Sequence, residues 1–178
     1  MSHPTSGSRA VRETTCPQGH GRGGLTAKAG SIRYSLNPPV CHLELNVLFR
    51  AAWPRHTTRD VSPVLAHGLG YVCAHAGDEL IGFVNVAWDG DKHAFLLDPT
   101  VHPDWQRQGI GTKLVRRAAD LARSKSVEWL HVDYEPRLAA FYRQCGFRET
   151  AAGLMNLKRT QRPSTRGRQA AQDNSLGD

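Results

Sequence analysis

The chain has 178 residues, of which 39% are hydrophobic and 22% are charged. That length corresponds to about one domain, and the hydrophobic share is sufficient for one buried core. The composition excludes a collagen and a chain that is disordered throughout, and no apolar run reaches the ~20 residues of a membrane-spanning helix. Residues 1–30 lack the apolar stretch of a secretory signal, so we expect a protein that is not exported.

The net charge of +7 lies mostly at the two ends of the chain. Residues 1–40 carry five basic residues and one acidic residue, and residues 159–178 carry four basic and two acidic ones. The part between them, 41–158, is nearly neutral, with fourteen basic and thirteen acidic residues. Because nucleic-acid-binding proteins usually concentrate positive charge on a folded surface, the sequence does not favour nucleic acid as a partner.

The ends also differ from the centre in composition. Residues 1–30 are rich in Gly, Ser, Thr and Arg, and residues 159–178 have almost no apolar anchor. Such segments cannot bury enough surface to offset the entropy of ordering. We therefore predict a disordered tail at 1–30, a folded domain at 31–158 and a second, basic disordered tail at 159–178.

Four cysteines are scattered along the chain, at Cys16, Cys41, Cys73 and Cys145. They form no C-x-x-C pair and match no zinc-ligand spacing. Cys16 and His20 together would supply only two ligands, so no metal is expected. Scattered thiols without an export signal indicate a reducing, cytoplasmic compartment.

The first half of the predicted domain contains a strand, two helices and an antiparallel meander. Helical spacing runs from Leu43 to Ala52, and Asp60 is placed to cap a shorter helix that ends near Gly68. Apolar runs separated by turn sequences predict the strands, which are Ile32–Leu36 before the helices and Tyr71–His75, Leu80–Ala87 and Ala94–Val101 after them.

The second half begins with a helix whose apolar stripe includes Ile110, Leu114 and Ala118. A strand over residues 128–134 follows, and the crossover makes it a parallel neighbour of the strand that ends at Val101. Pro136 opens another helix, which Gly146 ends. Residues 154–157 are predicted to form a last strand. The pattern indicates an α/β fold with a mixed sheet.

The most informative segment runs from Val101 to Thr112, where a strand, a polar loop, Gly109-Ile-Gly111 and a helix follow one another. The first turn of a helix leaves backbone N–H groups without internal partners and carries partial positive charge. Glycine keeps bulky side chains away from these amides, so a pyrophosphate could bind there. Leu114 stands where a dinucleotide fingerprint has its third glycine, and the spacing of a P-loop is absent. A plain glycine-assisted helix start is the alternative.

Two motifs resemble the GNAT superfamily of acetyl-CoA-dependent N-acetyltransferases. Gln106-Arg-Gln-Gly-Ile-Gly111 is similar to the Gln/Arg-x-x-Gly-x-Gly/Ala signature of that family. Leu138-Ala-Ala-Phe-Tyr-Arg-Gln-Cys-Gly-Phe147 is similar to its second signature, an aromatic-rich helix ending in Gly-Phe. The resemblance covers 31–158 and implies a mixed sheet of about six to seven strands flanked by about four helices.

The resemblance also implies where acetyl-CoA would bind as co-substrate. The strands that end near Val101 and Tyr134 would splay apart, and pantetheine would pair with the backbone exposed between them. The residues implied in cofactor binding are Thr100, Val101, Arg107, Gln108, Gly109, Ile110, Gly111 and Thr112.

Four residues are candidates for the chemistry. Tyr142 matches the family position of a tyrosine that protonates the departing thiolate, although its place on an apolar stripe also suits a core residue. His131, Asp98 and Asp133 are alternative bases or amine ligands beside the expected thioester, and Asp133 could orient the His131 imidazole because both lie on one face of the strand. Pro99 is expected to distort the strand and to place Asp98 in a bend.

The expected reaction is direct attack of a primary amine on acetyl-CoA in a ternary complex. Acidic residues near the strand ends would favour a cationic small-molecule amine, whereas scattered surface carboxylates are the alternative. A protein N-terminus or lysine is a second acceptor class, and a non-catalytic CoA-binding module is a competing function. No membrane partner is expected, and a homodimer is an open expectation because it is common in the family.

Overall fold

The computed structural model describes residues 31–157, so both predicted tails lie outside the described residues. Five strands form one sheet in the order β1 to β5. The first four are antiparallel neighbours, and β5 is parallel to β4. Their bounds are β1 Ile32–Leu36, β2 Gly70–Ala76, β3 Glu79–Trp88, β4 His93–Val101 and β5 Trp129–Val132.

Four α-helices accompany the sheet in the described part of the chain. They are α1 His42–Ala52, α2 Ser62–His67, α3 Ile110–Ser124 and α4 Ala139–Gln144. Two short 3-10 helices, Pro103–Trp105 and Pro136–Leu138, precede α3 and α4. The mixed α/β architecture, the helix count and the parallel β4–β5 pair are therefore as predicted.

The helices divide the core into two apolar clusters. One cluster combines α3, through Ile110, Leu114 and Ala118, with Val84 and Val86 of β3. The other combines α1, through Leu45 and Phe49, with Cys73 and Phe83. Because side chains alternate along β3, these clusters lie on opposite faces of the sheet. The predicted cap of α2 is off by one position: Val61 is the N-cap and makes no side-chain capping bond, while Asp60 before it accepts a hydrogen bond from the Ser62 N–H at 2.9 Å.

The predicted last strand at 154–157 is wrong. No strand lies between residues 149 and 157, and Leu154 is 90% exposed. The described residues thus give five strands, slightly fewer than the six or seven expected. A four-residue apolar stretch has the composition of a strand, but a strand also needs a neighbour to complete its hydrogen bonds, and the pattern does not specify one.

The cysteines differ partly from expectation. Cys73 and Cys145 carry free thiols, and burial raises the pKa of the Cys73 thiol to about 12. Cys41 is disulfide-bonded, whereas four separate thiols were expected. Its sulfur also accepts the Leu43 N–H at 3.4 Å, and its own N–H donates to Glu44 Oε2 at 3.0 Å, which caps α1.

Candidate functional site

Strand β4 continues beyond the end of its pairing with β5. Their parallel pairing runs from His93 and Trp129 to Leu96 and Val132 and then stops. Residues 97–101 of β4 therefore continue without a β5 partner on that side. We call this opening, bordered by residues 97–101 and 133–134, the β4–β5 splay. Unpaired backbone groups at such an edge can hydrogen-bond an extended ligand.

A β-bulge shapes the β4 side of the splay. Phe83 pairs with Thr100, but Asn85 pairs with Leu97, so β4 holds one residue more than β3 over this stretch. Asp98 lies in the bulge with a positive φ of 53°. The expected distortion beside Pro99 is therefore present, and Asp98 occupies the bend.

The loop after β4 is held by Gln106. Its side-chain amide donates to the Val101 carbonyl at 3.1 Å, and its backbone N–H donates to Pro103 O at 3.2 Å. Arg107 and Gly109 both adopt positive φ, 60° and 76°. These contacts turn the chain from the end of β4 into the first turn of α3.

The first turn of α3 presents free backbone donors. The Lys113 N–H donates to Gly109 O at 3.1 Å and begins the helical series, so the amides of residues 109–112 have no helical acceptor. Gly109 occupies the N-cap without a side-chain capping bond. Arg107, Gln108 and Gly109 are exposed, whereas Ile110 is buried in the core. Partial positive charge and free donors make this turn suitable for binding an anion.

The two signature glycines meet different requirements. Gly109 has the left-handed backbone, and an added Cβ would find nothing within 4 Å. An added Cβ at Gly111 would lie 3.4 Å from the Phe141 ring and 3.7 Å from Val101 Cγ2. Gly109 thus serves the turn and leaves the amides open, while Gly111 lets α3 pack closely on α4 and β4. The motif alone predicts ligand access for both glycines, and the packing of Gly111 against Phe141 is visible only in the folded structure.

Tyr142 lies in α4 and is only 2% exposed. Its ring stacks on Tyr134 at 4.7 Å between centroids and meets Phe141 and Phe147 edge-on. Burial raises the pKa of Tyr142 to about 12, with Cys145 and Tyr134 adding to the effect. The residue is therefore part of the core, and it also stacks on a residue that borders the β4–β5 splay.

Asp98 lies next to the loop that follows α1, the helix on the face of the sheet opposite α3. Its Oδ2 atom lies 3.9 Å from Nη2 of Arg59, in the segment 53–61 that we call the α1–α2 loop. Burial raises the pKa of Asp98, and the charges of Arg59 and His56 partly oppose this rise. The sequence placed Asp98 among acidic groups but gave no sign of its arginine partner.

His131 and Asp133 are both exposed. His131 Nε2 lies 2.9 Å from Nδ1 of His93, and its ring stacks on His93 and Phe95. The structure therefore gives His131 a histidine partner, where the sequence suggested Asp133 as the group that orients it. His131 lies one position before the last β4–β5 pair, and Asp133 lies at the start of the splay.

Asn46 of α1 was missed by sequence reasoning. It is 2% exposed, and its Oδ1 accepts the Arg59 N–H at 3.0 Å and lies 2.8 Å from His56 Nε2. Its Nδ2 donates to Arg59 O at 2.8 Å and His42 O at 2.6 Å. One buried amide thus fixes the α1–α2 loop. An asparagine within an otherwise apolar helical stripe was the available signal.

Within residues 31–157, no three His, Cys, Asp or Glu side chains are grouped as metal ligands. No helix in the same range has the length and apolar character to cross a bilayer.

The fold and site define an α/β protein in which a strand that extends past its parallel partner leads into a helix start with free backbone amides. Residues 38–147 match the model of the Acetyltransferase (GNAT) family. This match covers more than half of the chain, which therefore belongs to that family.

Curated relatives share parts of this domain. The chain is 27% identical over 117 residues to GCN5-related N-acetyltransferase 1, chloroplastic, of Arabidopsis thaliana, a match that covers 64% of the chain and 59% of the relative. It is 30% identical over 108 residues to Serotonin N-acetyltransferase 2, chloroplastic, of Oryza sativa subsp. japonica, covering 58% and 54%. The matches span about half of these relatives' length or slightly more.

Solved structures share the fold. A GNAT-family acetyltransferase from Streptococcus pneumoniae superposes with a TM-score of 0.59 at 25% identity, covering 71% of this chain and 99% of that one. Aminoglycoside N-acetyltransferase AAC(6')-Iy in complex with CoA superposes with a TM-score of 0.60 at 18% identity, covering 76% and 100%. This second match supports the fold alone.

Proposed function

We propose that this chain is an N-acetyltransferase that moves an acetyl group from acetyl-CoA to a primary amine in a ternary complex. The observation that carries the proposal is the continuity of the β4–β5 splay with the free amides of α3. A ligand with an extended amide chain and a diphosphate would satisfy both regions at once.

The proposed cofactor contacts follow the chain. The backbone of Thr100 and Val101 would hydrogen-bond the pantetheine amides in the splay. The pyrophosphate would accept hydrogen bonds from the turn that begins α3, with the Arg107 guanidinium adding charge. The backbone donors proposed for this turn are those of Arg107, Gln108, Gly109, Ile110, Gly111 and Thr112.

The proposed reaction needs one acid and one proton acceptor. The amine lone pair attacks the thioester carbonyl, a C–N bond forms, and collapse of the tetrahedral intermediate breaks the C–S bond. Tyr142 would protonate the leaving thiolate, and its raised pKa keeps the phenol neutral and able to donate. A backbone N–H near Val101 would stabilise the oxyanion.

Asp98 is the proton acceptor or amine ligand that the geometry favours. It lies in the bulge at the splay, and a raised pKa makes a carboxylate a better base. Asp133 at the mouth of the splay is the alternative. His131 is engaged with His93 on the paired part of the strands, so its proposed role is secondary.

The competing function is a CoA-binding module without turnover, and a protein N-terminus or lysine is the competing acceptor. The presence of Tyr142 beside the splay favours turnover over binding alone. A homodimer and a cytoplasmic location remain predictions, and two relatives carry "chloroplastic" in their names.

The test is release of free CoA thiol from acetyl-CoA with a panel of small amines, peptides and aminoglycosides, alongside calorimetric titration with CoA. We expect CoA to bind and at least one amine to release thiol above the hydrolysis rate. Binding of CoA with no release by any acceptor would contradict the catalytic proposal and favour the binding module. Failure of CoA to bind would reject both.

A further inference from the structure

The acceptor is expected to reach the splay from the α1–α2 loop. The α3 face of the sheet is filled by the apolar cluster around Ile110 and Leu114, and the proposed diphosphate site lies at the start of the same helix. The Asp98 carboxylate instead meets Arg59 of the α1–α2 loop. In the proposed reaction, the side chains of this loop would therefore face the second substrate.

The α1–α2 loop is held in one arrangement. Asn46 binds both the N–H and the carbonyl of Arg59, so the backbone at residue 59 is fixed at two points. Arg50 of α1 donates through Nη2 to Thr58 Oγ1 at 2.6 Å, which adds a second tie next to Arg59. These hydrogen bonds fix the main chain at Arg59, from which the guanidinium reaches to 3.9 Å from the Asp98 carboxylate in the bulge.

The α1–α2 loop and the end of α1 before it are rich in arginine. Residues 50–60 contain Arg50, Arg55 and Arg59 but only one acid, Asp60. The Asp60 carboxylate accepts the Ser62 N–H and lies at the start of α2. The structure thus places one basic group, Arg59, beside Asp98, where the sequence suggested an acidic cleft for a cationic amine.

The ion pair between Arg59 and Asp98 is weak enough for a bound ligand to replace it. Nη2 and Oδ2 are 3.9 Å apart, too far for a hydrogen bond, and the side chains are 52% and 33% exposed. Such exposed pairs are weakly held. An acceptor with both an ammonium and an anion offers each group a closer partner, because a guanidinium binds carboxylate or phosphate through two parallel hydrogen bonds. A purely cationic acceptor would pair with Asp98 and leave the Arg59 guanidinium without a negative partner.

We propose that the acceptor is an amine that carries an anionic group, a carboxylate or a phosphate, near its nitrogen, and that Arg59 determines this specificity. Arg59 binds the anion, and the Asp98 carboxylate binds the ammonium and accepts one of its protons, so that the neutral amine attacks. The inference rests on the proposed acetyltransferase function and narrows its substrate class.

The experiment compares matched acceptors that differ only in the anion. One series is an α-amino acid, its carboxamide and the corresponding decarboxylated amine, with the same side chain in all three. The other is phosphoethanolamine against ethanolamine. Thiol release gives kcat/KM for each, and calorimetric binding in the presence of CoA gives a readout that does not need turnover. We expect the anionic member of at least one series to exceed its neutral partner about tenfold or more.

The variant series assigns the preference to Arg59. Arg59→Gln should remove most of the preference, mainly by raising KM for the anionic acceptor. Arg59→Lys should restore part of it, because lysine returns the positive charge but cannot form the two parallel hydrogen bonds of a guanidinium. Arg55→Gln removes the same charge from an exposed position in the same loop and should keep the preference. Circular dichroism and CoA affinity check that each variant is folded.

The outcomes separate the two proposals. If amines are acetylated but neutral members match anionic ones, or if Arg59→Gln keeps the preference, the specificity inference is wrong and the acetyltransferase function stands. If no amine is acetylated, the catalytic proposal fails, and the binding titration alone decides whether Arg59 selects an anion. Preference for carboxylate over phosphate, or the reverse, identifies the source of the anion.

Discussion

The two sides of the β4–β5 splay are built from different parts of the chain. On the α3 side the donors are consecutive backbone amides, made available by the left-handed Gly109. On the α1–α2 side the contacts come from Asn46, Arg59 and Asp98, side chains brought together from a helix, a loop and a bulge. A backbone site leaves a short local signature in the sequence, whereas a side-chain site is defined only by the fold. The first can be shared by a whole family, and the second can differ in every member.

The largest expected effect breaks the α3 side. In Gly109→Asp, the carboxylate takes the N-cap position, accepts from the α3 amides and repels the diphosphate. We expect CoA affinity to fall about 100-fold or more in calorimetric titration. Gly90→Asp is the matched control, since Gly90 also has a positive φ, 91°, and open space around an added Cβ. Equal CoA binding by both variants would place the diphosphate elsewhere.

The next largest effect is expected for Tyr142, the proposed acid, which stacks on Tyr134 at the edge of the β4–β5 splay. Tyr142→Phe should lower kcat about 100-fold with CoA affinity nearly unchanged, because only the proton donor is lost. With the pKa of Tyr142 raised to about 12, ionisation of this group should cause no loss of rate on the alkaline side up to about pH 10. Cys145→Ala, one helical turn away, should retain turnover. A turnover loss in the cysteine variant instead would indicate an acyl-enzyme.

A smaller effect tests the framework of the α1–α2 side. Asn46→Leu leaves the Arg59 N–H and carbonyl without their buried partner, which should cost about 1–3 kcal/mol of the free energy of unfolding. Thermal unfolding should show a clear decrease in Tm, and kcat/KM for the amine should fall while CoA affinity is kept. Thr58→Ala, which removes an exposed contact in the same loop, should change Tm little. An unchanged Tm in Asn46→Leu would show that the amide does not fix the loop.

The smallest expected effect is a shift in Tm, of opposite sign, when the carboxylate of Asp98 or of Asp60 is removed. The pKa of Asp98 is raised by burial, so ionisation opposes folding, and Asp98→Asn should raise Tm at pH 7, with a difference that shrinks as the pH falls through the carboxyl range. The pKa of Asp60 is lowered by hydrogen bonds from Ser62, so its stabilisation is present at neutral pH and is lost on acidification. Asp60→Ala should therefore lower Tm at pH 7. Shifts of the same sign in both variants would contradict this assignment.

The elements of the sheet and helices were largely predictable because each has a local signal. The Ile110, Leu114 and Ala118 stripe is the buried face of α3, and the crossover through this helix made β5 parallel to β4. The strand at 154–157 failed because a short apolar run does not determine whether hydrogen-bonding partners exist. The extra residue that creates the bulge was only suggested by Pro99.

The site was predictable only where the backbone defines it. The positive φ of Gly109 and the absence of a capping side chain follow from the motif, but the contact of Gly111 with Phe141 does not. His131 and Asp133 were linked because they are close in sequence, whereas the structure gives His131 the distant His93 as a partner. Arg59 was missed because its importance depends on the folded position of Asp98.

The bulge in β4 has a consequence for how this protein can change over evolution. Leu96 and Val101 both pack toward α3, although residues five positions apart in a regular strand point to opposite faces. The inserted residue of the bulge brings them to the same face. Deletion of a single codon between them would exchange the two faces at the end of the strand, turning Val101 away from α3 and Thr100 toward it. Point substitutions change one side chain at a time, whereas a change in strand length would reverse the direction of several side chains in one step.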